Sequence, residues 1–126
     1  MPQIIKTFLL LGASNAAMAV LLGAFGAHLL KARLSPEMLA VFQTGLHYHL
    51  FHSLGLLAVA LVGMHVSDSV YLKWSGWLMV LGIVLFSGSL YGLSISGLRG
   101  LGMLTPFGGL SFIAAWVMLV LAIKSA

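Results

Sequence analysis

The eight charged residues of this 126-residue chain divide it into four long stretches that carry no charge. These stretches are residues 7–30, 38–67, 74–98 and 100–123, with lengths of 24, 30, 25 and 24 residues. A helix of about 20 mostly apolar residues crosses the hydrocarbon core of a bilayer, which is roughly 30 Å thick. Because lipid offers the backbone no hydrogen bonds, only helices and closed barrels span a membrane. These stretches lack the alternation of apolar and polar residues that is typical of barrel strands. We therefore predict an all-α, polytopic membrane protein with four transmembrane helices in an antiparallel bundle.

Composition excludes the other broad classes of protein. Hydrophobic residues make up 61% of the chain and charged residues 6%, whereas soluble domains are about 45–50% apolar and about 25% charged. Disordered chains are poor in the large apolar residues that dominate here. The absence of cysteine excludes disulfides, thiolate nucleophiles and cysteine-based metal sites. The net charge of +4 lies on residues scattered between apolar blocks, which is typical of membrane flanks and not of a nucleic-acid surface.

We expect one transmembrane domain over residues 1–126, with spans at about 7–30, 42–66, 72–96 and 105–124. A short amphipathic helical extension is predicted to precede the second span. The first apolar run is longer than the 7–15 residues, roughly, of a signal-peptide core, so we expect it to be a retained span.

Two Ser/Thr-Pro pairs predict where helices begin. Ser35 followed by Pro36 fits an N-cap and the first helical position, and Thr105 followed by Pro106 repeats that pattern. No proline or paired glycine follows in the second run, so its helix is predicted to continue unbroken from Pro36 to about Met64.

Small residues recur at helical spacing in three of the four spans. They are Gly12/Ala16 and Ala19/Gly23/Ala27 in span one, Gly88/Gly92/Ser96 in span three, and Gly108, Ser111 and Ala115 in span four. Because helices in lipid associate through close packing, such residues mark contacts between helices. We favour packing within the bundle over the alternative of a homodimer seam.

No pattern of catalytic residues is present. The only two carboxylates, Glu37 and Asp68, lie at opposite ends of span two and so about a bilayer thickness apart. The glycine-rich segment 97–102 follows no strand, as a dinucleotide-binding motif would, and residues 87–89 do not form a nucleophile elbow. We predict that the protein is not an enzyme.

Polar residues converge in one leaflet of the predicted bundle. The loops after spans one and three emerge on the same side of the membrane, so residues next to them share that leaflet. The predicted cluster, also the candidate ligand-binding set, comprises His28, Tyr48, His52, Ser87, Ser89, Tyr91 and Thr105. His52 is placed roughly a third of the way into the membrane, where an ionisable residue is a functional candidate. We expect a cluster that satisfies its own hydrogen bonds; ligand binding is the alternative.

The remaining polar residues have simpler interpretations. His28, His47 and His49 fit interfacial positions at the membrane surface. Asn15 fits a hydrogen bond between helices, in a half of the membrane that is otherwise almost purely apolar.

Four short motifs occur in order along the chain: Gly23-Ala24-Phe25-Gly26-Ala27-His28, then Gln43-Thr44-Gly45-Leu46 with Tyr48 and Phe51-His52, then Phe86-Ser87-Gly88-Ser89-Leu90-Tyr91, then Thr105-Pro106-Phe107-Gly108-Gly109. Together they resemble the YgdD/YwdK-like family of small four-span membrane proteins of unknown function. The resemblance covers essentially the whole chain. It implies the fold and a membrane location but no reaction. His49 stands where the resemblance implies a glutamine, which disfavours a ligand role for it.

Three functions remain open. The first, which we favour, is a packing or assembly module of the membrane that associates with lipid and with another membrane protein or a second copy. The second is a binder of haem, a metal or a small ligand through His28 and His52, or through His49 and His52, which are three residues apart, since imidazole suits iron, copper and zinc. The third is a small-solute channel or carrier formed by an oligomer, favoured by an expected discontinuity at Gly23–Gly26. The sequence indicates no particular cofactor.

The expected location is the bacterial plasma (inner) membrane. Three basic residues flank the spans on each side, so the positive-inside rule leaves the orientation tied. The α-amino group favours both termini in the cytoplasm.

Overall fold

The computed structural model describes all 126 residues, which form four long helices and no strand. The helices are α1 (Gln3–Leu30), α2 (Pro36–Val66), α3 (Val70–Ser96) and α4 (Thr105–Lys124). A short 3₁₀ turn, Arg99–Met103, joins α3 to α4. Four apolar helical segments, which include α1 to α4, are each long enough to cross a membrane. The predicted all-α, four-helix transmembrane fold is confirmed.

The two predicted helix starts differ in outcome. The Ser35 side chain accepts a hydrogen bond from the Met38 backbone N–H at 3.2 Å, and α2 runs without a break, so both predictions for α2 are confirmed. The prediction for Thr105 is wrong, because Thr105 is itself helical and α4 has no side-chain cap. The Thr105 hydroxyl lies 2.6 Å from the Ser89 hydroxyl on α3, so it joins two helices instead.

Two of the helices contain one wide, π-helical turn each. In α1 this turn is Leu22–Gly26, and in α3 it is Ile83–Ser87. The expected discontinuity at Gly23–Gly26 takes the form of this π-helical turn, which interrupts the α-helical pattern without breaking the helix. A π-helical turn contains one more residue than an α-helical turn, so it changes which side chains face each neighbour in the rest of the helix. Such turns occur often at functional sites. In α3 the turn carries Phe86, which contacts α4, and Ser87, which contacts α2.

The helices pack in chain order, with α1 on α2, α2 on α3 and α3 on α4. The largest apolar core lies towards the end of the bundle that holds both termini. Its members are Ile5, Phe8, Leu56, Val59, Ala60, Leu72, Met79, Ile83, Phe112, Ala115, Leu119 and Ala122. Towards the other end, α4 follows α3 and leaves a cleft between itself and α2.

Glycines bring the helices close together inside the bundle. A Cβ atom on Gly12 would lie 2.8 Å from Leu57 of α2, and one on Gly108 would collide with the Phe86 backbone of α3. These contacts confirm the predicted packing within the bundle for span one and span four. The prediction is wrong for Gly88 of span three, which is exposed: the nearest atom to a Cβ there would be the Ile83 carbonyl oxygen of the same helix, at 3.9 Å.

Candidate functional site

His52 lies near the middle of α2, on the side that faces α4. Its side chain is 3% exposed. The indole N–H of Trp116 donates to His52 Nε2 at 3.1 Å, and His52 Nδ1 lies 2.8 Å from the Tyr48 carbonyl oxygen. An indole nitrogen only donates and a carbonyl only accepts, so the ring is neutral with its proton on Nδ1. Both ring nitrogens of His52 are thus occupied.

Beside His52, the cleft between α2 and α4 forms a cavity of about 580 Å³. Its lining, here called the aromatic groove, consists of His47, Tyr48, Phe51, His52, Phe86, Gly109, Phe112, Ile113 and Trp116. The groove opens on the outer surface of the bundle, where Phe51 and Ile113 are exposed. In a membrane this surface faces lipid, so the groove opens sideways into the bilayer.

The rings of the groove are held in fixed relative orientations. His52 stacks on Phe112 with centroids 3.5 Å apart and an interplanar angle of 9°. The Tyr48 ring lies within 18° of the Phe112 plane at 6.3 Å, and Phe86 lies 4.4 Å from Tyr48. Gly109 contributes no side chain, and this keeps the α4 wall low. The groove is therefore a shallow slot whose walls consist mainly of aromatic side chains.

Two polar groups on the α2 wall have no partner in the chain. The His47 ring and the Tyr48 hydroxyl make no side-chain hydrogen bond, unlike the neighbouring rings of His49 and His52. The Tyr48 side chain is 44% exposed and so is open to a group from outside. Hydrogen bonding in the groove is available only at this wall.

His49 lies on a different face of α2 and is 2% exposed. Its Nδ1 lies 2.9 Å from the Tyr91 hydroxyl of α3, and its Nε2 lies 2.9 Å from Asn15 Oδ1 of α1. The Asn15 amide nitrogen donates to the Leu11 carbonyl at 2.8 Å, so Oδ1 must face His49 as an acceptor. His49 therefore donates from Nε2 and accepts from Tyr91 at Nδ1. We call Asn15, His49 and Tyr91 the polar chain.

Serine hydroxyls connect the helices elsewhere. Ser87 donates to the Gly45 carbonyl at 2.7 Å and Ser75 donates to the Ala115 carbonyl at 2.7 Å. Each bond uses the second lone pair of a carbonyl that already serves its own helix. No buried side-chain nitrogen or oxygen in the chain lacks a hydrogen-bond partner.

The hydrogen bonds of the predicted cluster fall into separate groups, and every buried side-chain nitrogen and oxygen among them has a partner. Tyr91 belongs to the polar chain, Ser89 pairs with Thr105, Ser87 bonds α2, and Tyr48 and His52 line the aromatic groove. These residues form separate hydrogen-bonded groups on α2, α3 and α4.

His28 lies apart from all of these groups. It is exposed near the end of α1, where Gly26 contacts the Phe42 ring. Phe42 precedes His52 by ten residues, or about 15 Å of helix, so the pairing of His28 with His52 is wrong. No group of three or more residues with metal-binding side chains occurs in the structure.

Sequence reasoning missed the roles of two residues that organise the site, His49 and Trp116. His49 is not at the surface of the bundle but enclosed, with 2% of the residue exposed. Trp116, which donates a hydrogen bond to His52, is eleven residues into α4, or about 16 Å along the helix. The available signals were Asn15, a lone amide in an apolar half, and Trp116, whose indole N–H needs a partner when buried.

Comparison with known proteins places the chain in a family. Residues 22–109 match the family described as "Protein of unknown function (DUF423)". The chain is 50% identical to the UPF0382 membrane protein YwdK of Bacillus subtilis over 117 residues, which are 93% of this chain and 95% of that protein. It is 46% identical to a UPF0382 membrane protein of Staphylococcus epidermidis over 117 residues, 93% of this chain and 94% of the relative. The chain belongs to the DUF423 family.

Membership confirms the resemblance drawn from the four motifs. The matched segment of the DUF423 family begins inside the π-helical turn of α1 and ends at Gly109 on the groove wall. The relatives of this family member are named only as membrane proteins, which supports a membrane location. No solved structure matches the chain.

Proposed function

We propose that the protein is a non-catalytic module of the bacterial plasma membrane that holds another component of the membrane in its aromatic groove. One observation carries this proposal. Every buried polar side chain is already partnered inside the bundle, whereas the Tyr48 and Phe51 rings of the groove are 44% and 59% exposed on its lipid-facing side. An exposed concave surface that is mainly apolar, with a few polar groups, is the usual form of a binding site.

The polar interior supports a role without catalysis. Both nitrogens of His49 and both nitrogens of His52 are engaged with protein groups, so neither ring is free to transfer a proton or to ligate iron or zinc. The carboxylates Glu37 and Asp68 lie outside the spans' centre, near the two ends of α2. The bundle itself therefore offers rigidity and a shaped surface.

Photo-crosslinking tests this proposal in native membranes. A benzophenone amino acid at Ile113, which lines the groove and is 62% exposed, should give one adduct of defined mass. The matched control places the same group at Val20 of α1, which is 61% exposed but lies away from the groove. We expect only heterogeneous lipid adducts there. The same heterogeneous adducts at both positions would refute the proposed function.

The proposed orientation has both termini in the cytoplasm. Cysteines introduced at Ser35 and Ser125 flank the ends of α2 and α4, on opposite sides of a four-span protein. In intact cells a membrane-impermeant thiol reagent should label the cysteine at position 35 and spare that at 125. Labelling of 125 alone would reverse the orientation, and equal labelling of both would contradict the four-span topology.

A further inference from the structure

We propose that the groove's occupant is a lipid-soluble quinone, that is, a flat, electron-poor ring with carbonyl oxygens on an apolar tail. This inference rests on the proposed function and names the chemical class that the groove takes. Three features of the aromatic groove support it: its ring faces, its two unpartnered hydrogen-bonding groups and its opening into lipid.

The faces of the groove favour a flat, electron-poor ring. The open aromatic surface is supplied by Tyr48 and Phe51, which are 44% and 59% exposed, because Phe112 is 4% exposed and the His52 ring stacks on it. Aromatic faces carry negative charge density, so they repel the face of another electron-rich ring and attract that of an electron-poor one. The ring of a quinone is electron-poor because its carbonyls withdraw electron density, so it is complementary to such a surface, whereas a saturated acyl chain gains no such attraction.

The unpartnered polar groups favour carbonyl oxygens. Tyr48 is twelve residues into α2, or about 18 Å along the helix, and lies about 9 Å beyond the predicted start of the span at 42. A hydroxyl at that depth has no water to bond, and leaving it unpaired is unfavourable in hydrocarbon. The Tyr48 hydroxyl and the His47 N–H can each donate to a ring carbonyl. A tail without oxygen would leave both unpaired.

The size and opening of the groove fit a ring with a tail. A volume of about 580 Å³ falls within the range of about 300–1,000 Å³ typical of sites for small organic ligands. The groove opens between Phe51 and Ile113 to the lipid-facing surface, so the tail can remain in the bilayer. Gly109 leaves the entrance clear, which makes it the position at which a side chain would block access.

Fluorescence quenching of Trp116 tests the inference directly. The variant Trp74→Phe/Trp77→Phe removes two exposed tryptophans and leaves Trp116 as the only one. In lipid nanodiscs, a benzoquinone with a ten-carbon chain should quench Trp116 saturably, at one molecule per chain. Decanol, which has the tail without the ring, should neither quench nor compete.

Two glycine substitutions provide the matched comparison in the same background. Gly109→Leu fills the groove and should abolish the saturable component, leaving only linear quenching by quinone dissolved in lipid. Gly88→Leu makes the same change on α3 in open space, where the nearest atom to a Cβ is 3.9 Å away, and should leave saturation unchanged. Tyr48→Phe removes one hydrogen bond and should weaken binding about 2- to 10-fold.

A second measurement uses the chain with all its tryptophans. The ten-carbon benzoquinone should suppress the discrete adduct formed from the benzophenone at position 113, and decanol should not. Two results together would overturn the quinone inference: quenching that is linear in every variant, and a discrete adduct that quinone does not suppress. The proposed function would then still stand. Absence of any discrete adduct would instead remove the proposed function.

Discussion

Two faces of α2 carry a histidine each, three residues apart, and the two rings meet opposite surroundings. His49 lies between α1 and α3, where Asn15 and Tyr91 occupy both of its nitrogens, and it is not part of the groove lining. His52 is as well hydrogen-bonded, yet one side of its ring system borders the aromatic groove. The enclosed face holds the helices together, and the open face presents a surface to the bilayer.

The difference arises from the helix opposite each face. Small residues let α1 approach α2 closely, as Gly12 does at Leu57, and the remaining gap is bridged by the Asn15 amide. On the other face, α4 leans on α3 through Gly108 and keeps its distance from α2. An identical residue type on one helix thus becomes either a structural bridge or part of a site, depending on how near the neighbouring helix comes.

The largest expected effect separates two adjacent glycines of α4. Gly108→Ala would drive a methyl group into the Phe86 backbone and should destabilise the fold by about 3 kcal/mol, the upper end of the usual range for overpacking. Gly109→Ala meets the Phe86 ring only at 3.8 Å and should be neutral or slightly stabilising, because alanine favours helices. Unfolding in mixed detergent micelles measures both. Equal effects of the two substitutions would contradict the contrast between packed contact and open groove.

The next effect tests the enclosed face. His49→Leu leaves the Asn15 and Tyr91 polar groups without their partner and should cost about 2 kcal/mol of unfolding free energy. His49→Gln keeps one donor and one acceptor, so it should recover most of that loss. A double-mutant cycle with Tyr91→Phe measures the coupling. Independent, additive effects of the two substitutions would show that the bond does not stabilise the protein.

The contrast also shows how far a single sequence reaches. The charge-free runs predict the spans, Ser35-Pro36 predicts the start of α2, and the spacing of Gly12 and Gly108 predicts close packing. These features are local, so they can be read along the chain. The partners of the histidines are not local: Asn15 is 34 residues from His49, and Trp116 is 64 residues from His52.

The same reasoning explains the errors at Thr105 and His28. A threonine before a proline fits an N-cap, but here the Ser89 hydroxyl of the neighbouring helix α3 lies within hydrogen-bond distance of the Thr105 hydroxyl. Connectivity predicts that His28 shares a leaflet with the other polar residues, but in the structure it is exposed on α1 and forms no hydrogen bond with them. The order of the spans determines on which side of the membrane a residue lies. The direction in which its side chain points around the helix depends instead on how the neighbouring helices pack.

The smallest stability effect belongs to the open face. His52→Phe leaves the Trp116 indole N–H unpaired but keeps a ring to stack on Phe112, so the loss should be about 1 kcal/mol. Trp116→Phe in the same chain removes the orphaned donor, and the double variant should regain part of the loss. Unfolding of the two single variants and the double variant checks this. A loss for His52→Phe as large as that of His49→Leu would mean that the groove face is as essential to folding as the enclosed one.

The positions of the ring protons on His49 and His52 test the account most directly. Nitrogen-15 NMR of histidine-labelled protein in bilayers distinguishes the two neutral tautomers, and the His49→Gln and His52→Phe variants assign the signals. The hydrogen bonds require the proton on Nε2 in His49 and on Nδ1 in His52, so the spectrum at neutral pH should show one buried ring of each kind. Two rings with the same tautomer, or a doubly protonated ring at either position, would contradict the arrangement on which both faces depend.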